Sequence, residues 1–250
     1  MKKSKVVAVI QARMNSTRLP GKVLLPLGPD NKSVLWWMAT RAGLAELVDE
    51  VVIATTQAPS NAPIMDFCNE NEITCCGYGG DEGDVIGRVL TCADFNEADI
   101  IVDLTSDCPM VDPRHIDYLV NVLTRGNYDY ASNCVYRDWP DGLDVQVYWT
   151  NVLRDCINIH NPKQHAGWNI HQHEEFNCYH SSAPLFPLNM RWPNLGLTLD
   201  TQEDYDMMKK LFNKFGHDPT FTAESVVDFL SKNPDWITNA KVRRKEPEEG

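Results

Sequence analysis

The residues with the clearest chemical potential lie in Gln11-Ala12-Arg13-Met14-Asn15-Ser16-Thr17-Arg18-Leu19-Pro20-Gly21-Lys22, directly after the apolar run Val6 to Ile10. Through residue 22 the chain carries six basic side chains (Lys2, Lys3, Lys5, Arg13, Arg18, Lys22) and no acidic one, although 23 Lys and Arg against 35 Asp and Glu give the whole a net charge of −12. A buried strand that ends in a loop with fixed cations, hydroxyls and a glycine offers charge and backbone N–H groups to a polyphosphate. Neither GxxxxGK[ST] nor GxGxxG is present, so the loop is not one of the two common phosphate-binding patterns. Two carboxylates complete the set: Asp107 in Thr105-Ser106-Asp107-Cys108-Pro109, and Asp200 in Leu199-Asp200-Thr201. Mg²⁺ uses one or two carboxylates together with phosphate oxygens and water, so this pair suffices for Mg²⁺-dependent chemistry on a nucleoside triphosphate. Asp200 can equally serve as a helix cap, and spacing alone does not choose.

Bulk properties narrow the setting. With 250 residues, 43% hydrophobic and 23% charged, the chain suits one soluble α/β unit with a sizeable core. The acidic balance argues against a nucleic-acid polymer as partner. The short apolar run near the N-terminus, broken by Gln11 and Arg13, is neither a signal peptide nor a membrane span. Eight cysteines without a C-x-x-C pair read as reduced, packed thiols, and the expected compartment is the cytoplasm.

The elements that must position these residues alternate. Val6 to Ile10, Glu50 to Thr55, Ile73 to Cys76 and Asp99 to Leu104 read as strands; Ser33 to Glu46, Pro63 to Asn71, Asp84 to Asn96 and Pro113 to Thr124 read as helices. That order predicts a doubly wound, three-layer α/β/α sheet with ligands beyond the carboxyl ends of its strands, where the basic loop and Asp107 both lie. Tyr128 to Ser132 and Asp141 to Trp149 continue as strands, the latter after an Asp-Gly turn, and Thr150 to Ile159 as a helix. Leu195 to Leu199 reads as a strand ending at Asp200, followed by helices to about Phe215 and over Ala223 to Ser231. A single domain is expected over 1–240, with 134–194 as an excursion serving an acceptor or an oligomer, and 241–250 as a charged tail. Trp36 and Trp37 cannot share one helix face; simple packing of both is the first expectation, with one covering a partner or a substrate as the alternative.

Taken in order, QARMxSTRLPGK, S-D-C-P-M-V-D-P, D-G-L-D-V, Q-H and L-T-L-D-T-x-E-D make a chain that resembles the cytidylyltransferases, most closely the spore-coat polysaccharide type and more distantly the enzymes that make CMP-KDO and CMP-sialate. The resemblance implies a nucleotide-diphospho-sugar transferase-like fold that binds CTP and Mg²⁺ and transfers CMP to a small anionic acceptor with release of pyrophosphate. Arg13, Arg18 and Lys22 would hold the triphosphate, with Ser16 in the same loop; Ala12 would face the cytidine; Asp107 and Asp200 would bind the metal. Arg13, Lys22, Asp107 and Asp200 thus form the expected catalytic set. Asp84 and Arg88 resemble the family's D-x-x-x-R and would shape the nucleotide site, though they fit a surface i,i+4 pair equally well. Asp144 and His165 are the candidates for the acceptor. Asn15 and Ser106 stand where many relatives have glycine, and Gln164 where an acidic residue often precedes the family's histidine. Relatives pair through the segment corresponding to 134–180, which implies a homodimer.

Two other readings remain open on the residues alone. A glycosyltransferase would use the same sheet but holds its metal with a compact D-x-D, whereas Asp103 and Asp107 are four apart. A non-catalytic nucleotide-binding protein would have no need of both Asp107 and Asp200. His165, His171, His173 and His180 match no ordinary zinc spacing and are read as anion-binding or structural.

Overall fold

The computed structural model describes residues 3–136, 138–160, 166–181 and 190–240; His165 and the 241–250 tail lie outside them. The first strand, β1 (Val6–Gln11), is buried on both faces over its continuous apolar run Val6 to Ile10. The ribbon β2 (Pro26–Leu27) and β3 (Lys32–Ser33) leads into α1 (Val34–Gly43), whose N-cap Ser33 accepts from the Trp36 N–H. Then come β4 (Glu50–Thr56), α2 (Ala62–Glu70), β5 (Thr74–Tyr78), α3 (Val85–Phe95), β6 (Ile100–Thr105) and α4 (Pro113–Arg125). The second half contains β7 (Tyr130–Ser132), β8 (Gln146–Trp149), α5 (Thr150–His160), α6 (Ala166–His171), β9 (Cys178–His180), α7 (Gln202–Phe215) and α8 (Ala223–Lys232).

Seven strands form one sheet in the order β5-β4-β1-β6-β8-β7-β9. β5, β4, β1 and β6 are mutually parallel, and β8 runs antiparallel between β6 and β7. The chain leaves β1 toward β4 and β5, then returns to place β6 on the other side of β1. Loops on either side of such a reversal diverge and leave a crevice at the carboxyl ends of the strands.

Strand alternation assigns the two faces. Val6, Ala8 and Ile10 point toward α1, α2 and α4, while Val7 and Val9 point toward α3, α5 and α6, giving the α/β/α layering. A third apolar cluster lies off the sheet, where Trp37, Met110, Trp139, Leu195, Leu197 and Leu199 pack on α7 and α8. The adjacent tryptophans part as their phases require: Trp37 is buried against Phe212, while the less buried Trp36 lies beneath the Lys32 ammonium.

Two strand expectations are corrected. Over 141–149 only Gln146–Trp149 joins the ladder, because Gly142 adopts φ +103° and Asp141 bridges to Gly196 instead. Leu195 to Leu199 is an extended segment rather than a ladder strand: its backbone N–H groups are divided between Trp192, Asp141 and Asp107, so no single partner builds a register. Within the expected 134–194 excursion, Cys178–His180 returns to the main sheet and extends its edge beside β7. No helix among the described residues is long and apolar enough to cross a membrane.

Candidate active site

The site sits at the carboxyl ends of β1, β4, β5 and β6. Ala12 is buried and its N–H donates to the Ala54 carbonyl at 3.0 Å, so β1 is pinned to β4 one residue beyond its last pair. The loop then folds around the Met14 carbonyl, which accepts from Ser16 N at 3.0 Å and Gly21 N at 2.9 Å. Gly21 takes φ +70°, a left-handed conformation that glycine adopts without strain, and passes the chain into the short 3₁₀ turn that begins at Lys22. Ser16 closes the loop from within, its Oγ accepting from Leu19 N at 3.3 Å.

Lys22, Asp107 and Asp200 come together from three distant parts of the chain. Lys22 Nζ donates to Asp107 Oδ2 at 2.8 Å and to Asp200 Oδ1 at 2.9 Å, and Arg18 Nη2 lies 2.9 Å from the same Asp200 oxygen. Burial works against the charge of Lys22, but the two carboxylates outweigh it and hold its ammonium pKa above the ordinary 10.5. Burial likewise pushes the Asp107 carboxyl up, and the Lys22 charge reverses that, leaving it below the usual carboxylate range.

The backbone explains the convergence. Asp107 follows β6, and its carbonyl accepts from Leu199 N at 2.8 Å, which places Asp200 beside it. Helix α7 is capped by Thr201, whose hydroxyl accepts from Asp204 N while Asp204 returns to Thr201 N, a complete capping box. Asp200 is thereby released from capping, and its carboxylate faces Lys22 and Arg18.

The carboxylate pair fits a hard divalent cation. Both side chains present an oxygen to a single point, now the Lys22 ammonium, and among the described residues no three His, Cys, Asp or Glu side chains gather to hold a metal by themselves. Two carboxylates beside a cationic loop is a donor set that suits Mg²⁺, which takes its remaining ligands from phosphate and water.

The other sequence candidates divide. Arg13 is exposed and close enough to Arg88 for its charge to help, after burial, to lower the Arg88 pKa, so two cations stand together beyond β1. Asp84 and Arg88 do not behave as a surface pair: Asp84 caps α3 through Gly87 N at 3.0 Å and accepts from the Tyr78 hydroxyl at 2.7 Å. Buried Arg88 turns inward, donating to the Glu82 carbonyl at 3.1 Å and Gln11 Oε1 at 3.3 Å. Asp144 and Asp141 both raise the Cys108 pKa, after burial and Asp107, which puts them on the Asp107 side of the site. His165 lies outside the described residues. His171 and His180 pack in an aromatic group with Trp168, Tyr130 and Tyr136 on the α6 side of the sheet.

Sequence reasoning missed several supporting residues. Asp103 is buried at the heart of β6, where Gln11 Nε2 at 2.6 Å, the Tyr148 hydroxyl at 3.0 Å and Gly167 N at 3.4 Å donate to it. It links the basic loop's root to α6; its only sequence signal was a charge inside an apolar strand. Asn61 and Glu82 hold the basic loop from the β4 and β5 sides; the rule that ligands bind beyond strand ends pointed to their loops but not to them.

Comparison with known proteins agrees with this fold. The cytidylyltransferase family profile matches residues 7–224. The chain is 31% identical over 240 residues to the spore coat polysaccharide biosynthesis protein SpsF of Bacillus subtilis, covering 93% of this chain and 97% of that protein. It is 32% identical over 241 residues to a 3-deoxy-manno-octulosonate cytidylyltransferase of Geotalea daltonii, covering 95% of this chain and 83% of that one. Among solved structures, a cytidylyltransferase from Leptospira borgpetersenii superposes with a TM-score of 0.84 at 27% identity, covering 97% of this chain and all of that one.

Proposed function

The chain belongs to the cytidylyltransferase family, and from that premise we propose that it transfers CMP from CTP to a small anionic sugar or similar acceptor, releasing pyrophosphate, in the making of a surface polysaccharide. The observation that carries the proposal is the meeting of Lys22 and Arg18 with Asp107 and Asp200 beside the Arg13 loop. Cations for a triphosphate and a carboxylate pair for its metal then share one crevice. The acidic acceptor is supported by the 3-deoxy-manno-octulosonate enzyme among the relatives. Polysaccharide synthesis is supported by the spore-coat protein.

In the mechanism, Arg13, Arg18 and Lys22 bind the triphosphate oxygens and hold the α-phosphorus at the mouth of the crevice, with Ala12 and the β1 end against the cytidine. Asp107 and Asp200 would hold Mg²⁺, which supplies charge neutralisation to the phosphate oxygens when bound. An acceptor oxygen attacks the α-phosphorus in line; its bond to phosphorus forms as the bond to the bridging oxygen of pyrophosphate breaks, and that oxygen leaves with the electron pair. The loop cations stabilise the departing pyrophosphate. Asp144 stands on the acceptor side and would orient it together with His165. We place the reaction in the cytoplasm, in keeping with eight free cysteines. A homodimer joined through residues 134–180 is in keeping with Cys178–His180 forming an edge of the sheet.

Calorimetry with Mg²⁺ and each of CTP, UTP, ATP and a UDP-sugar tests nucleotide choice. Preference for CTP is the expected result; preference for the UDP-sugar would replace the proposal with glycosyl transfer.

A further inference from the structure

We infer that Asn61 is a positioning residue for the triphosphate grip, acting on Arg13 and Lys22 together through the backbone of one residue, Met14, and held in its working orientation by Glu82. The inference rests on the CTP-binding reading above and deepens it.

Asn61 occupies the N-cap position of α2, where an asparagine side chain ordinarily accepts from the first turn of its own helix. It makes no such bond. The side chain is instead fully buried, and its Oδ1 accepts from Met14 N at 2.8 Å. The Met14 backbone is the centre of the basic loop: its N–H, in the peptide after Arg13, is fixed by Asn61, and its carbonyl, in the next peptide, accepts from Ser16 N and Gly21 N. Arg13 directly precedes Met14 and Lys22 directly follows Gly21, so one bond from a separate element fixes the backbone residue to which both cations are tied. A side chain that leaves its own helix uncapped to do this is placed for the loop.

Glu82 decides which way the Asn61 amide points. Asn61 Nδ2 donates to Glu82 Oε1 at 3.0 Å and to Thr56 Oγ1 at 2.8 Å. An ionised carboxylate only accepts, so the NH₂ must face Glu82 and the carbonyl oxygen must face Met14. Glu82 Oε2 also accepts from Asn15 Nδ2 at 3.4 Å, and its backbone carbonyl accepts from Arg88. The acidic loop between β5 and α3 is thus latched across the strand ends onto the basic loop.

The test compares CTP with CMP, which lacks the β- and γ-phosphates. Calorimetry on Asn61→Ala is expected to show CTP affinity reduced by at least about tenfold with CMP affinity changed by less than about threefold. A merely structural role would weaken both in step. A charge swap guards against misfolding: Asn61→Asp keeps an oxygen for Met14 N but sets two carboxylates face to face. Asn61→Asp with Glu82→Gln restores a donor between them. The single variant is expected to lose CTP affinity and the double variant to recover most of it. Unchanged CTP affinity in Asn61→Ala, parallel loss of CTP and CMP, or no recovery in the double variant would overturn the inference. Failure of the unmodified chain to bind CTP would overturn the functional reading and this inference with it.

Discussion

Lys22 is the residue on which the site turns, because it neutralises two carboxylates that would otherwise repel one another in a half-buried crevice. Replacing Asp107 or Asp200 by Asn should lower kcat on the order of 10²-fold or more while leaving the far-ultraviolet circular dichroism unchanged. Near-normal turnover in either variant would remove that residue from the proposed metal site. The signs of the two shifts define where this cluster titrates. Lys22, raised by its partners, contributes fully below its open-chain value of 10.5 and loses that contribution as pH rises through its folded value. Asp107, depressed, contributes above its open-chain value of 3.8 and loses that contribution as pH falls through its folded value. A pH–rate profile should therefore show no limb from this pair between about pH 5 and pH 9; a limb there that vanishes in Asp107→Asn would contradict the pairing. Lys22, Asp107 and Asp200 were each legible in the sequence as site residues, but that one ammonium bridges both carboxylates was not, since they lie 85 and 178 residues from it. Asn61 was not legible at all, because an asparagine before a helix reads first as a cap.

At the scale of elements, two junctions tie distant parts of the chain together. Asp112 caps α4 by accepting from Arg114 N and also accepts from Ala223 N at the start of α8, so one buried carboxylate ties two helices. Burial alone would raise its pKa; the bonds from Arg114 and Ala223 and the neighbouring charges instead bring it to about 2 from 3.8. That difference corresponds to about 2 kcal/mol of stability, present above about pH 4 and lost as pH falls toward 2. Asp112→Ala should lower the unfolding free energy at pH 7 by about 2–4 kcal/mol, read from urea denaturation. The other junction is Gly142, where an added Cβ would lie 2.3 Å from the Leu197 carbonyl carbon at φ +103°. Gly142→Ala should part Asp141 from the 195–199 segment, cost about 2–4 kcal/mol and reduce turnover by displacing Asp200. Full activity in that variant would show that the segment does not position the carboxylate. The Asp-Gly pair was recognisable as a turn; that the turn docks onto residues 195–199 depended on contacts some 55 residues away, which local pattern does not carry.

For the molecule as a whole, the parallel half was legible because continuous apolar runs such as Val6 to Ile10 and amphipathic helices such as α4 carry their own periodicity. The second half was less so. Its strands are three or four residues long and its apolar residues serve both the sheet and the cluster around Trp37 and Phe212. The proposed dimer belongs to this scale: light scattering should give twice the 28.4 kDa chain mass, and a monomer at micromolar concentration would remove it. The architecture brings cations from the loop after β1 and carboxylates from beyond β6 and before α7 to one crevice, and the proposed function rests on that meeting. Its most direct test is pyrophosphate release from CTP and Mg²⁺ across a panel of acidic sugars. The account predicts that pyrophosphate appears only with CTP and an accepted sugar, in equal amount with a CMP-sugar, and at a rate lowered on the order of 10²-fold or more in Asp107→Asn. No release with any acceptor, together with no CTP-dependent rise in Tm, would contradict it.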